Sequence, residues 1–444
     1  MLNIRNMIYG LDTPVRLDCG RLAPAINLDN AATTPPFKAV LREIGRQMLC
    51  YGSIGRGKGQ KSAHSTSVYA DGREIVKGFV GANSDIYTVF YTNNTTDGMN
   101  KLASALIESP DDLVLTTRME HHANDLPWRE RCRTIYAEVD AQGRLILGDI
   151  ERLLMEQGGA VKYVSVTAAS NVTGYVNDVH HIARLAHQHG ARIIVDGAQI
   201  VAHRAFSMLG NSPEENIDFL AFSAHKMYAP FGGGAVVGLK EVLDGHVPMF
   251  YGGGMVEAVC DEAARYLPAP DRYEAGSPNY PGVVGMLKAM ELLKNRIGFD
   301  YIGWHEQILL RRVLDGLRQL PGVTLYGDSE HIADRVGIAV FNIDGIENAA
   351  VADYLAGKCG IAVRHAAFCA HPYVRRLTHE PEDEADCTPP VGMVRVSFGI
   401  YNNEADVDCL LSAVRALVCC GHSHDFAGGG SAAAPFSGKP YDRG

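Results

Sequence analysis

Short apolar runs alternate with helical patterns through residues 85–240 of this 444-residue chain, and this alternation restricts the possible folds more than any other feature. The runs are continuously apolar, as expected of strands buried on both faces of a sheet. They occupy residues 112–117, 161–167, 191–196 and 233–239. Between them, residues 178–190 have helical periodicity and end at a glycine, which commonly follows a helix. Strands that alternate with helices form a mostly parallel sheet covered by helices, so the predicted class is α/β.

The pattern changes after about residue 300. An amphipathic helical pattern over 301–319 precedes several short β segments and a second helical pattern near 346–358. This mixture predicts a smaller α+β domain after the large one. We therefore expect an N-terminal segment packed on the small domain, a large domain, the small domain and a disordered tail, over residues 1–25, 26–300, 301–418 and 419–444.

Charge and cysteine usage limit the classes of function. The net charge of −10 argues against nucleic acid or an anionic membrane as the main partner. No apolar run approaches the ~20 residues that span a bilayer, and we expect no signal peptide. The ten cysteines are scattered without a CxxC pair, which fits reduced thiols and a cytoplasmic location. We predict no metal site, and we interpret the tail cluster as solvated rather than ligating: Cys419, Cys420, His422 and His424.

Two polar residues follow predicted strands at places where ligands bind. Asp196 ends the apolar run in "RIIVDGAQ" (192–199), and open α/β sheets bind ligands at the carboxyl ends of their strands. By itself, Asp196 could simply cap a turn. Lys226 follows another apolar run in "SAHKMYAPFGGG" (223–234), beside glycines that allow close backbone approach. Lysines in such places can have a lowered pKa and form Schiff bases.

Together these two residues indicate pyridoxal 5'-phosphate (PLP). A Schiff-base lysine and an aspartate facing the pyridine nitrogen are what this cofactor requires, since the carboxylate keeps the ring nitrogen protonated. The phosphate needs hydrogen-bond donors, and Thr95 and Thr96 precede a helical run in "YTNNTTDGMN" (91–100). Ser223 and His225 can add further donors.

These motifs, with "EHHAN" (120–124) and "ASNVTG" (169–174), resemble the class V aminotransferase group. Within it, the sequence is similar to the Suf-type cysteine desulfurases and selenocysteine lyases. The similarity extends from "NLDNAATTPP" (27–36) to "VRVSFGIYNNEADVD" (394–408). It implies the PLP-dependent transferase fold type I, with a mostly parallel, seven-stranded-type sheet between helices and a smaller α+β C-terminal domain. It also implies conversion of L-cysteine to L-alanine, with sulfur transferred to an enzyme cysteine as a persulfide.

The resemblance assigns cofactor roles to matching positions. Lys226 would carry PLP and act as acid and base at the substrate carbons, and Asp196 would pair with the pyridinium. His121 would stack on the ring; the alternative is a structural, hydrogen-bonded histidine. The other cofactor-binding positions would contact the ring oxygen (Gln199, Asn171) or the phosphate (Thr95, Thr96, Ser223, His225). Ser277 in "EAGSPN" would reach the phosphate of a partner subunit, which implies a homodimer.

The resemblance also assigns a substrate pocket. Arg395 would clamp the substrate carboxylate bidentately; the alternative is an edge-strand surface arginine. The other substrate-binding positions would be Asn30, Ala31, Ala32, Arg56 and Arg364. The implied partners are L-cysteine or L-selenocysteine and a sulfur-acceptor protein.

The stretch "RHAAFCAHPYVRR" (364–376) matches the loop that carries the family's nucleophile. Cys369 would accept the sulfur as a thiolate, and Arg364, His365 and His371 would favour that anion. The family's usual Gly-His-His before the cysteine is replaced here by Ala366-Ala367-Phe368. An acidic segment over 375–390 is longer than expected and is predicted to be exposed; it could dock an acceptor, with Cys387 as a secondary relay.

Other functions remain open on the sequence. Selenocysteine lyase chemistry would use the same residues, and another PLP-dependent C–S lyase or class V enzyme would leave Cys369 as a bystander. A scaffold that binds a partner without catalysis is disfavoured, because it has no chemical need of Lys226 and Asp196.

Overall fold

The computed structural model describes residues 3–55, 57–381 and 388–420. The predictions for Arg56, Cys387, His422 and His424 therefore lie outside the described residues. Within those residues, we find no helix that is both long and apolar enough to cross a membrane.

The strands are β1 (Pro14–Arg16), β2 (Leu22–Pro24), β3 (Ile26–Asn27), β4 (Tyr87–Thr92), β5 (Leu113–Thr117), β6 (Arg133–Ala137), β7 (Val161–Thr167), β8 (Arg192–Asp196), β9 (Phe219–Ser223), β10 (Gly234–Leu239), β11 (Val256–Val259), β12 (Ala264–Tyr266), β13 (Val323–Tyr326), β14 (Ile338–Ile343), β15 (Ile361–Ala362), β16 (Arg364–Ala366) and β17 (Met393–Ser397). The α-helices are α1 (Lys38–Met48), α2 (Gln60–Phe79), α3 (Thr95–Leu106), α4 (Leu126–Arg129), α5 (Leu147–Glu156), α6 (Val179–Gln188), α7 (Ile200–His203), α8 (Lys240–Gly245), α9 (Tyr280–Glu291), α10 (Phe299–Arg318), α11 (Asn348–Cys359), α12 (His371–Thr378) and α13 (Glu404–Cys420).

The central sheet has seven strands in the order β4-β10-β9-β8-β7-β5-β6. Its pairs are parallel except those of β10, which runs antiparallel to both β4 and β9. Every residue of β4, β5 and β9 is buried, which explains why their sequences are mostly apolar and lack charged residues. The predicted α/β class and mostly parallel sheet are confirmed. The parallel arrangement brings Asp196 and Ser223, the last residues of β8 and β9, to one edge of the sheet.

Polar side chains determine where two of the flanking helices begin. The Asp178 carboxylate caps α6 by accepting a hydrogen bond of 3.1 Å from the His181 amide. That helix stops before Gly190, whose φ of +76° a side chain would disfavour, so the predicted helical stretch over 178–190 is confirmed. Asn94 caps α3 in the same way, through the Asp97 amide at 2.9 Å.

The small domain has an antiparallel four-stranded sheet in the order β13-β14-β17-β16. Helices α10, α11 and α13 pack against it around an apolar core that includes Leu310, Phe341 and Val396. The predicted α+β domain is confirmed, and α10 matches the helical pattern over 301–319.

The N-terminal strands lie against this small domain. Strands β1 and β2 form a hairpin, and β3 pairs in parallel with β15. The Asp18 amide donates to the Gly357 carbonyl at 2.9 Å, and its carboxylate pairs with Lys358 at 3.1 Å. The domain boundary at residue 300 stays a prediction.

Two segment boundaries differ from the expectations. Helix α13 continues through Cys419 and Cys420, the first two residues of the tail predicted to be disordered, and residues 421–444 lie outside the described residues. Helix α12 contains residues 375–378, which were predicted to belong to the exposed acidic segment. They remain helical because Val374 and Leu377 bury an apolar face of this helix.

Candidate active site

A cavity of about 500 Å³ opens where β8, β9 and the start of α3 meet the small-domain strands β16 and β17. The structure brings most of the predicted site residues to its walls. They are Ala31, Ala32, Thr95, Thr96, His121, Asn171, Asp196, Gln199, Ser223, His225, Lys226, Arg364, Cys369 and Arg395.

Lys226 lies in the turn directly after β9, at the end of a short 3-10 helix, Ala224–Lys226. Loss of hydration by burial lowers its pKa to about 8, against the opposing effect of the Asp196 carboxylate. Burial raises the pKa of Asp196 itself, whose Oδ1 accepts a 2.8 Å hydrogen bond from the Ala198 amide. A lysine whose pKa lies near neutral pH can act as a nucleophile and can exchange protons at physiological pH.

His121 stands at the cavity as a neutral imidazole. Its Nδ1 accepts a hydrogen bond of 3.0 Å from the Ala123 amide, which leaves the ring proton on Nε2. Burial, and then the charge of Lys226, lowers its pKa to about 3. The ring therefore keeps one fixed protonation state across the physiological range.

The start of α3 meets the end of β9 in a polar corner, called here the anion-binding corner because its chemistry suits an anion. The Thr95 amide donates to Ser223 Oγ at 2.7 Å, and the two hydroxyls lie 2.7 Å apart. Backbone N–H groups at a helix N-terminus favour a phosphate group. His225 adjoins this corner, and burial lowers its pKa to about 4.

Two side-chain amides occupy the walls of the cavity. Gln199 Nε2 donates to the Ala31 carbonyl at 2.9 Å, while its Oε1 is buried with no hydrogen-bond partner within the described residues. Asn171 Nδ2 donates to the Phe368 carbonyl at 2.8 Å. This lining fits the chemical groups of pyridoxal phosphate. It provides the unpaired oxygen of Gln199, a lysine with a lowered pKa, a buried aspartate and the anion-binding corner.

Arg395 is 3% exposed and projects from β17. Its guanidinium donates to the Asn171 carbonyl at 2.8 Å and to Asp29 Oδ1 at 3.0 Å, and it lies 4.9 Å from the centre of the Phe368 ring. Burial lowers its pKa to about 10. Its Nε is buried with no partner among the described residues, which leaves one N–H of the guanidinium without an acceptor.

Cys369 is exposed at the cavity on a loop that is otherwise packed. Ala367 and Phe368 are buried against Tyr373 and Met393. Ala366, Phe368 and Cys369 all have positive φ, of 79°, 52° and 55°, a region that side chains disfavour. The loop thus holds the thiol at the cavity in a defined, strained conformation.

Two predicted residues do not line this cavity. Asn30 lies behind the wall, where its amide donates to the Ser397 carbonyl at 2.9 Å and its oxygen accepts from the Tyr401 hydroxyl at 2.7 Å. Ser277 borders a separate cavity of about 160 Å³, together with Glu274.

Sequence reasoning missed several residues at the site. Thr167 ends β7 beside Asp196 and lines the cavity; the strand-end rule that identified Asp196 could have found it. Asp29 pairs with Arg395, and its place beside Asn30 in "NLDNAATT" was the available signal. His122 donates its amide to the Cys369 carbonyl at 2.7 Å, a contact that no sequence signal indicated.

Comparisons with known proteins identify relatives of this arrangement. A family model described as Aminotransferase class-V matches residues 26–410. A probable cysteine desulfurase of Mycolicibacterium paratuberculosis is 33% identical over 415 residues, 91% of this chain and 57% of that protein. A probable cysteine desulfurase of Halalkalibacterium halodurans is 33% identical over 398 residues, 87% of this chain and 92% of that protein. The chain thus spans little more than half of the first relative and most of the second.

A solved structure is also similar to this fold. The apo structure of a cysteine desulfurase from Thermococcus onnurineus superposes with a TM-score of 0.80 at 30% sequence identity. The alignment covers 89% of this chain and 95% of that one.

Proposed function

Since the chain belongs to the aminotransferase class-V family, we propose that it is a cysteine desulfurase that converts L-cysteine to L-alanine and leaves the sulfur on Cys369. The observation that carries this proposal is the shared cavity. The cavity is lined by three groups: the exposed thiol of Cys369, Lys226 with its lowered pKa, and the buried Arg395, whose Nε has no acceptor among the described residues.

Pyridoxal phosphate, when bound, supplies a ring that accepts electrons and makes the substrate Cα proton acidic. Lys226 would hold it covalently, Asp196 would face its ring nitrogen and His121 would cover its face. The phosphate would occupy the corner formed by Thr95 and Ser223, with Thr96 and His225 nearby. The orphaned oxygen of Gln199 supports this assignment, because a buried polar atom normally has a partner.

Arg395 would orient the substrate by its carboxylate. Its guanidinium is already held by Asn171 and Asp29, so little conformational freedom is lost when a carboxylate binds. Ala31 and Ala32 leave room beside it because their side chains are small.

Lys226 would move the protons. With a pKa lowered to about 8, its Nζ can take a proton at one carbon and return it at another near neutral pH. Lys226 and Cys369 line the same cavity. The Lys226 amine can therefore exchange protons with both Cα and Cβ of a small amino acid whose sulfur faces Cys369.

Cys369 would accept the sulfur as a thiolate. A bond forms between Cys369 Sγ and the substrate sulfur while the substrate Cβ–S bond breaks. The electron pair of the broken bond stays on carbon, which takes a proton and leaves as L-alanine. Because Cys369 is exposed, an acceptor protein can take the outer sulfur of its persulfide without opening the core.

The direct test is mass spectrometry of the purified enzyme after incubation with L-cysteine. We expect the Cys369 peptide to gain one sulfur atom and alanine to appear in the solution. Cys19→Ser, at another exposed cysteine, is the matched control and should keep both signals. Alanine release by Cys369→Ala at the parental rate would refute the role of this thiol.

We also propose that the enzyme is a homodimer in which Ser277 serves the phosphate site of the second copy. Its position at a separate cavity of its own chain supports this assignment. Sedimentation analysis should give a dimer, and Ser277→Ala should weaken cofactor retention while the dimer persists.

A further inference from the structure

A second buried carboxyl lies behind the cavity wall that carries Asp196. Glu120 is 2% exposed and directly precedes His121, but it does not itself line the cavity. Its Oε1 accepts hydrogen bonds from the Thr117 hydroxyl at 2.7 Å and from the Thr167 amide at 3.1 Å. Its Oε2 accepts a third, of 2.6 Å, from the side-chain amide of Asn124. Three donors directed at two oxygens suit an ionised carboxylate, which can only accept.

The partners of the donors determine the direction of these bonds. Asn124 Oδ1 accepts from Trp128 Nε1 at 3.1 Å, and an indole can only donate, so the NH₂ end of Asn124 faces Glu120. The Thr117 oxygen accepts from the Met119 amide at 3.1 Å, which leaves its hydroxyl proton for Glu120. Both side chains therefore act as donors toward the carboxylate.

Glu120 and Asp196 are close enough to influence each other. Thr167, whose amide donates to Glu120, is the register partner of Asp196 in the neighbouring strand. Burial raises the pKa of Glu120 to about 8 against its three hydrogen bonds, and the Asp196 carboxylate raises it further. Two carboxyls that have both lost hydration thus adjoin the ends of β7 and β8.

The cations of the cavity do not compensate Glu120. Among the described residues, no lysine, arginine or histidine forms an ion pair with it. Lys226 offsets the charge of Asp196, and both large-domain histidines of the cavity are neutral near pH 7. The two arginines belong to the small-domain strands and both pair with Asp29. One further positive charge beside Asp196 would therefore compensate Glu120 as well.

We propose that Glu120 is a positioning residue that acts through Asp196 and favours a positive charge on the ring nitrogen of PLP. This inference rests on the proposed function, which needs that cofactor. A protonated ring nitrogen facing Asp196 would be the missing cation, and two carboxylates hold its proton more strongly than one does. A positive ring accepts electrons more readily, so Glu120 would make the substrate Cα proton more acidic.

A purely structural Glu120 makes a different prediction. If it only joined the end of β5 to the end of β7, its loss would lower stability and weaken the binding of every form of the cofactor alike. A role through charge instead changes the ratio of affinities for two ligands that differ only at the ring nitrogen.

The test compares PLP with its deaza analogue, in which a C–H group replaces the ring nitrogen. Both are titrated by absorbance into the cofactor-free, full-length protein at about pH 9, where a carboxyl with a pKa of about 8 is mostly ionised. The parent should bind PLP more tightly than the analogue. In Glu120→Gln, the ratio of the Kd of the analogue to that of PLP should fall about tenfold, because one of two negative charges is lost.

Two further variants keep the carboxyl. Glu120→Asp retains the charge and should return the ratio toward the parental value. Thr117→Val preserves the side-chain shape and removes one donor to Glu120, which makes the ionised form less favourable. It should therefore lower the same ratio by a smaller factor, and it tests the proposal even if Glu120→Gln does not fold.

Glu306→Gln is the matched control. Glu306 is also 2% exposed, but its carboxylate pairs with His203 Nδ1 at 2.6 Å and does not line the cavity. This variant should lose stability and keep the parental ratio. An unchanged ratio in Glu120→Gln, or an equal loss of both affinities, would overturn the proposal. Binding needs no turnover, so a parent that binds PLP but forms no alanine would refute the desulfurase activity and leave this ratio measurable.

Discussion

The amide of His122 donates a hydrogen bond of 2.7 Å to the carbonyl of Cys369. His122 directly follows His121, which lines the cavity on the large-domain side. The imidazole of His122 contributes as well, since its Nε2 accepts from the His371 amide at 3.3 Å and its ring packs edge-on against that of His371 at 4.7 Å. The loop that carries Cys369 is therefore attached to the segment that carries His121.

Replacement of His122 should loosen this attachment. His122→Phe keeps a ring but leaves the His371 amide without its acceptor, and we expect a loss of about 1 kcal/mol in the free energy of unfolding, with a several-fold slower alanine release. His122→Gln offers an oxygen acceptor and is the matched control, which should retain more of both. Urea denaturation and alanine assays check this prediction; equal behaviour of the two variants would contradict it.

Ala366 should be a strained position. Its φ of 79° favours glycine, and Cys369 depends on the conformation of this loop. Ala366→Gly should raise the free energy of unfolding by roughly 0.5–1 kcal/mol, because relief of strain exceeds the added entropy of the unfolded chain. Ala367→Gly, at a buried neighbour without positive φ, should instead lower it. Thermal melts of both variants test this, and a loss of stability in Ala366→Gly would exclude strain.

Lys226 should destabilise the cofactor-free protein below about pH 8. Its pKa in the fold is about 8, while the ordinary value is 10.5, so the unfolded chain binds more protons between these values and stability rises with pH there. At pH 7, Lys226→Met should make the cofactor-free protein more stable by roughly 3 kcal/mol, and the gain should vanish above about pH 10.5. Lys61→Met, at an exposed lysine, should show no such pH dependence. Denaturant titrations at several pH values give the answer, and a pH-independent gain would contradict the assignment.

Arg335 should be essential to the junction between the domains. It is fully buried and donates to the carbonyls of Thr173, Asp328 and Ile338 at 2.9, 2.6 and 3.0 Å. Arg335→Met leaves these carbonyls unpaired, and we expect a loss of roughly 3–5 kcal/mol in the free energy of unfolding. Arg152→Met, at an exposed helix position, is the control and should melt like the parent. A mild effect of Arg335→Met in urea denaturation would show that water replaces the lost donors.

The sequence predicted the parts of this site that follow single strands. Asp196 and Lys226 could be found because each comes directly after a buried apolar run, and parallel strands end at one edge. The pairing of Asp29 with Arg395 could not be predicted, since it joins residues 366 positions apart and depends on the bridge that places Asp29 beside Ser397, the last residue of β17. The positive φ of Ala366 could not be predicted either, because alanine, unlike glycine, gives no sequence signal for a left-handed backbone conformation.

The pairing of β3 with β15 has a consequence for how the protein is made. The amide of Ala31 donates to Ser397 Oγ at 2.8 Å, so the beginning and the end of the chain form one wall together. Domains of long chains generally fold as they leave the ribosome, N-terminal parts first. The large sheet can therefore be complete while residues 26–32 still lack their neighbours. In a nascent chain, this wall of the cavity stays incomplete until Ser397 has been synthesised and released from the exit tunnel.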